Sequence, residues 1–250
     1  MRKNKMGVTA ITSLTLLLGF GMTQQATAQD AAPSYPQMAP IEQYLMPDRA
    51  AEIALARSAA PASISGDATV LVLGRKGYEK AVDGKNGFVC WVGRGWSGPF
   101  DWPEFWSAKI RAADCLNPQA ARSLLPSIYL RAKLVMAGRS KAEIVSALKA
   151  AFAHKQLPQL ESGAMDYMMS KSSYLTDMGE HDMPHVMFFN QVQDGSDWGS
   201  GAAGSPVMSS PYWFFAPGQQ SPQGGLPPIM VFLVAVPDWS DGTPASMHSH

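Results

Sequence analysis

Two cysteines, Cys90 and Cys115, restrict the folding of this chain more than any other feature. They bracket most of the run FVCWVGRGWSGPFDWPEFW at residues 88–106, which holds four of the seven tryptophans. A disulfide between them would close a loop of 25 residues. In the chain-entropy picture such a closure contributes about 3.5 kcal/mol. The alternative is a pair of buried free thiols. The choice depends on compartment, because disulfides persist where the surroundings are oxidising.

The N-terminus speaks to the compartment. Arg2, Lys3 and Lys5 precede an apolar stretch from Ala10 to Phe20, and Ala26-Thr27-Ala28 gives the small-x-small pattern of a signal peptidase site. Residues 1–28 are expected to be an export signal, with the mature protein secreted or periplasmic and Cys90 bonded to Cys115. The apolar stretch is shorter than the roughly 20 residues a membrane span needs, so no membrane anchor is expected after signal removal. The whole chain carries 20 basic and 20 acidic residues, so without the three basic residues of the signal the balance is 17 − 20 = −3. That leaves no basic field to attract nucleic acid.

Past a flexible lead-in at residues 29–46, periodicity and breakers predict one α+β domain over 47–238 and a frayed tail at 239–250. PDRAAEIALARSAAP reads as a helix ended by Pro61. ATVLVLGR, GYEKAV and FVCWV read as three strands in a meander. Asn117-Pro118 opens a helical segment that Pro126 should kink or split and Gly138 should close. Ser140 and Glu143 form a capping box for the next helix. AMDYMMS, PHVMFFN and IMVFLVAV complete the strands, with a glycine-rich loop at residues 194–206. The expected fold is a mostly antiparallel sheet of about six strands with two to four helices packed on it.

Most catalytic signatures fail on chemistry. GRGWSG at residues 93–98 has dinucleotide-loop spacing, but Pro99 and Pro103 follow where a helix N-terminus should bind phosphate, and Asp101 would repel it. His181 and His185 have the spacing of a helical zinc protease, yet Pro184 breaks the helix and Asp182 replaces the required glutamate. Ser146 and Lys149 lack the companion motifs of penicillin-recognising enzymes. Asp101 and Glu104, beside Trp102 and Trp106, have the residue types of a sugar hydrolase, but on a proline-broken loop nothing sets their separation.

Two binding features remain. Residues 165–187 hold six of the 15 methionines, and on a strand Met183, His185 and Met187 would share a face. With His181, thioether and imidazole are the donors that select Cu(I) over harder cations. The plainer reading is core packing, since methionine is an adaptable filler. Trp96, Trp102 and Trp106 could likewise form a ligand platform, though a loop closed by a disulfide needs large side chains for its own packing.

Over most of the mature length the chain resembles a group of exported bacterial proteins with no established activity. The resemblance is carried by AEIALARSAAPASIS, NGFVCWVGRGWS, EFWSAKIRAADCLNP, GAMDYMMSK, PHVMFF and VFLVAVPDWSDGT. It implies one domain behind an export signal, and it assigns no catalytic residue and no cofactor. A binding or structural role is therefore expected ahead of catalysis, with copper binding and a carbohydrate-acting site as the alternatives.

Overall fold

The structure, a computed structural model, describes residues 35–177, 183–191 and 229–245, together with residues 203, 213–215, 226 and 227. The signal segment, His181, the glycine-rich loop apart from Ala203, and the terminal His248 and His250 lie outside the described residues.

The first helix, α1 (Arg49–Arg57), starts at Asp48, whose carboxylate accepts the amide of Ala50. A short α2 (Ala62–Ser65) follows Pro61. Three strands come next, β1 (Thr69–Gly74), β2 (Gly77–Val82) and β3 (Val89–Gly93), where the apolar runs predict them. After the tryptophan loop the chain forms β4 (Ala112–Leu116), which is not among the predicted strands because Ala112, Ala113 and Asp114 give it no β-branched or aromatic run. Asn117 caps α3 (Pro118–Ser123) through the amide of Ala120. Pro126 separates α3 from α4 (Leu125–Met136), since a proline is tolerated in a first turn and not in a helix interior. Gly138, at φ 73°, ends that run, and the Ser140–Glu143 capping box opens α5 (Lys141–Ala153). Four further strands are β5 (Met165–Met168), β6 (His185–Asn190), β7 (Trp213–Phe215) and β8 (Met230–Ala235).

All eight strands join one sheet in the order β2-β1-β3-β4-β5-β6-β8-β7, an α+β arrangement with two more strands and one more helix than expected. Every pairing is antiparallel except β1 with β3, which is parallel. The expected meander is therefore corrected: β3 does not follow β2 at the edge but crosses to the far side of β1. Residues 83–88 make that crossing tight against the start of β1. Lys85 donates to the Asp67 carbonyl at 2.7 Å, and a Cβ on Gly84 would lie 2.0 Å from the Thr69 nitrogen. The DGKNG segment, which reads as a hairpin turn, supplies a glycine for this close approach instead.

Alternation along the strands divides the core in two. Leu71, Leu73, Trp91 and Leu116 face α3, α4, α5 and the tryptophan loop. Val70, Cys90, Val92, Ala113 and Cys115 face α1 and α2. Each large side chain fully buried in these layers contributes about 1.5–3 kcal/mol relative to exposure. Cys90 and Cys115 stand directly opposite one another on β3 and β4 and form the expected disulfide, fully buried in the second layer. Residues 35–45, read as part of a flexible lead-in, join the first layer: Tyr44 is buried, donates to the Trp106 carbonyl at 2.9 Å, and sits in a 3-10 turn at Ile41–Tyr44.

Candidate functional site

Beyond β3, the glycine-rich GRGWSG run turns through a 3-10 segment at Gly95–Ser97 and folds back on its own loop. A Cβ on Gly95 would meet the Glu104 carbonyl at 2.4 Å and the Ser107 carbonyl at 2.9 Å, so only glycine lets the two limbs approach. Such a loop has carbonyls without regular partners, and two helical cations supply them. Arg131 of α4 donates through one guanidinium nitrogen to the carbonyls of Trp96, Ser97 and Gly98 at 3.0, 2.9 and 2.6 Å, with its guanidinium 4.0 Å from the Phe100 ring centre. Lys141 of α5 donates to the Phe100 carbonyl at 2.6 Å and lies 4.4 Å from the Phe105 ring centre. Burial lowers the pKa of both, Arg131 to about 10. Trp96 and Trp106 are buried in the core, and Trp102 is half-buried. Two of the three platform residues thus belong to the interior of the loop.

The two carboxylates of this loop have separate surroundings. Asp101 is exposed, whereas Glu104 is buried and its Oε1 accepts the amide of Asp177 at 2.6 Å. Asp177 in turn accepts from the hydroxyls of Tyr35 and Tyr174 and from Lys109. Those hydrogen bonds hold its pKa at about 2. Glu104 therefore anchors the segment around Asp177 to the tryptophan loop, a contact between residues 73 positions apart.

A buried ion pair was not legible in the sequence. The Arg94 guanidinium donates to Glu52 at 2.8 Å, to the Tyr44 carbonyl at 2.7 Å, and to the Val92 carbonyl. The same Glu52 oxygen accepts the amide of Leu73 at 3.1 Å. One guanidinium thus ties α1, β3 and the residues before α1 together. With its partners satisfied, such a pair fixes geometry more than it adds net stability.

The chemistry-bearing face of the sheet lies on β4, β5 and β6. Register places Met168 opposite His185 and Asp166 opposite Met187. Residues opposite one another, and residues two apart on one strand, share a face, so all four project to one side. Asp114, on the same face of β4, hydrogen-bonds to Asp166, and both acids are buried. Asp166 also accepts the amide of Cys115 at 2.7 Å. Burial raises both pKa values, Asp166 to about 7 and Asp114 well above the usual carboxylate range. The hydrogen bond between them raises Asp114 and lowers Asp166, so Asp114 holds the proton of the pair. His185 is buried with Nδ1 2.8 Å from the Met183 carbonyl, while Met183 is 37% exposed and precedes the strand. The structure brings His185 and Met187 to one face and adds Met168 and Asp166, which the strand AMDYMMS could have suggested only with the β5–β6 register in hand. Among the described residues, no group of three or more His, Cys, Asp or Glu side chains gathers as a metal site.

On the opposite face of β6 and β8 stand Val186, Phe188, Phe232 and Val234. Phe188 is 40% and Val234 47% exposed, large apolar groups one diagonal step apart. α1 packs on this same side against β1, β3 and β4.

Comparison with known protein families, with curated proteins and with solved structures found no match for the chain. Among the described residues no helix is long and apolar enough to cross a membrane.

Proposed function

We propose that this is an exported binding protein, periplasmic or extracellular, rather than an enzyme, and that it docks an amphipathic helix of a partner protein on the β6–β8 face. The observation that carries this reading is the exposed pair Phe188 and Val234. Neither HVMFFN nor MVFLVA contains an acidic residue, lysine or arginine, so the complementary surface is apolar. Neighbouring strands lie about 4.8 Å apart, and a helix with its side chains is about 10 Å wide. A partner helix over β6 and β8 would therefore continue the layer that α1 begins. Against catalysis stands the use of Arg94, Glu52, Arg131 and Glu104 in internal contacts.

Site-specific photo-crosslinking tests the reading, with benzoylphenylalanine placed at Val234 and, as control, at exposed Lys85. A discrete adduct with another protein from Val234 alone supports it, and loss of that adduct in Phe188→Asp places the partner on this strip. An adduct at twice the protein's own mass would replace the partner by a second copy. No adduct, or equal labelling from both positions, rejects the docking face.

A second reading is soft-metal binding, favoured by the common face of His185 and Met187. The carbohydrate reading has the least support, because Asp101 is exposed while Glu104 is buried on the Asp177 amide.

A further inference from the structure

We propose that the partner helix on the β6–β8 face carries a carboxylate, at its end nearest α1, that pairs with the guanidinium of Arg57. The inference rests on the docking reading and adds the charge of the partner: a helix with an apolar stripe and an acidic residue beside it.

One row of side chains crosses the sheet from beneath α1 to that face. Register aligns Cys90, Cys115, Tyr167, Val186 and Val234 as successive neighbours on β3, β4, β5, β6 and β8. Both cysteines are fully buried, Val186 is 9% exposed and Val234 is 47% exposed. The row emerges where the cover of α1 ends, since α1 packs on β1, β3 and β4. The residues that follow α1 reach the end of β5. There the Met169 amide donates to the Ala59 carbonyl at 2.9 Å, and the Ser58 and Ser170 hydroxyls lie 2.6 Å apart. Neighbouring strands are about 4.8 Å apart, so the strand next to that end, β6, already belongs to the docking face.

Arg57 occupies the last turn of α1, one turn beyond Ile53, which packs on the second core layer. It is half-buried, and its Nε is shut off from water without a hydrogen-bond partner. Among the described residues Arg57 forms no ion pair. Every other described arginine has a carboxylate or carbonyl acceptor. A guanidinium partly out of water calls for an acceptor, and a carboxylate matches its fork with two parallel hydrogen bonds. The strands of the docking face offer none, because neither HVMFFN nor MVFLVA contains an acid. A helix laid on that face therefore brings the acceptor with it.

The test titrates the protein, by fluorescence anisotropy, with hydrocarbon-stapled helices of about 14 residues, a length that needs the staple to stay helical. Each has a leucine stripe, with glutamate, glutamine or lysine in the first turn, where a carboxylate also suits the helix dipole. The glutamate helix should bind about tenfold more tightly than the glutamine helix. That gap should close in Arg57→Gln, and the preference should pass to the lysine helix in Arg57→Glu. Phe188→Asp should remove binding of all three, with circular dichroism and thermal unfolding showing each variant folded. If the glutamate and glutamine helices bind equally and Phe188→Asp still removes both, the docking face stands and the acidic complement falls. If the glutamate preference survives Arg57→Gln, the assignment to Arg57 falls. If no helix binds the folded wild type, both fall.

Discussion

Asp114 and Asp166 hydrogen-bond to one another across neighbouring strands β4 and β5, with both carboxyl groups buried. Neither draws its shift from a cation; burial raises both. Two buried carboxyls in contact cannot both ionise cheaply, so the pair keeps a proton at a pH where isolated aspartates would have lost it.

The folded state therefore binds more protons than the unfolded chain from the ordinary aspartate value near 4 up through the raised native values of both acids, about 7 for Asp166. Stability falls as pH rises through that window, on the order of 1 kcal/mol per pH unit for each excess proton, and levels off once the native pair has ionised. Urea unfolding at pH 5, 6.5 and 8 should show this decline. Asparagine at position 114 can donate the same hydrogen bond with no proton to lose, so Asp114→Asn should flatten the decline and be the more stable protein at pH 8. A steeper decline in that variant would overturn the proton-sharing account. Below pH 4 the opposite sign applies to Asp177, whose lowered pKa makes its contribution fade as pH drops.

Gly95 and Gly138 should respond differently to alanine. At Gly95 the added Cβ meets three main-chain oxygens within about 3 Å, of Glu104, Phe105 and Ser107, none of which can rotate away. Overpacking of this kind costs about 3 kcal/mol, and Gly95→Ala should lower the thermal midpoint accordingly. Gly138 has open space around it but a φ of 73°, so Gly138→Ala should cost only about 1 kcal/mol through backbone strain. Equal losses at the two sites would contradict the close approach of the loop limbs.

Arg131 caps three carbonyls of the tryptophan loop from a single nitrogen. Removing a charged donor from buried acceptors costs about 2–3 kcal/mol. Arg131→Met, which keeps much of the stem, should lose that amount in chemical unfolding. It should also open the peptide bonds between residues 95 and 107 to limited proteolysis before the rest of the chain. Arg131→Lys should restore little, since a lysine cannot reproduce the planar contact with Phe100.

The disulfide gives a fourth test. Cys90 and Cys115 are both fully buried, so a water-soluble reductant can reach them only through opening of the fold. Thiol trapping after dithiothreitol treatment should find the bond intact in buffer and reduced in urea. A Cys90→Ala, Cys115→Ala double variant should lose about 3–4 kcal/mol, the contribution expected of a loop this long. Rapid reduction of the native protein would show that the β3–β4 ladder opens readily.

Sequence alone determined the local parts of this protein. The caps at Asn117 and Ser140, the break at Pro126 and most strands were legible because each depends on residues within a few positions of one another. The cysteine pair was legible because its alternatives were few. β4 was not, since a stretch that opens on two alanines and an aspartate forms a strand only when neighbours on both sides pair with it. The parallel placement of β3 beside β1 depended on whether Gly84 could pass the Thr69 backbone, a contact between distant positions. Arg94 with Glu52, Glu104 with Asp177 and Asp114 with Asp166 are separated by 42, 73 and 52 positions (the last being 166 − 114). The candidate site followed the same logic: His185 and Met187 share a face by strand period, while Met168 and Asp166 join them only through the β5–β6 register. Tertiary structure decided these because a polar side chain is placed by whichever partner satisfies it after burial, and no local pattern names that partner.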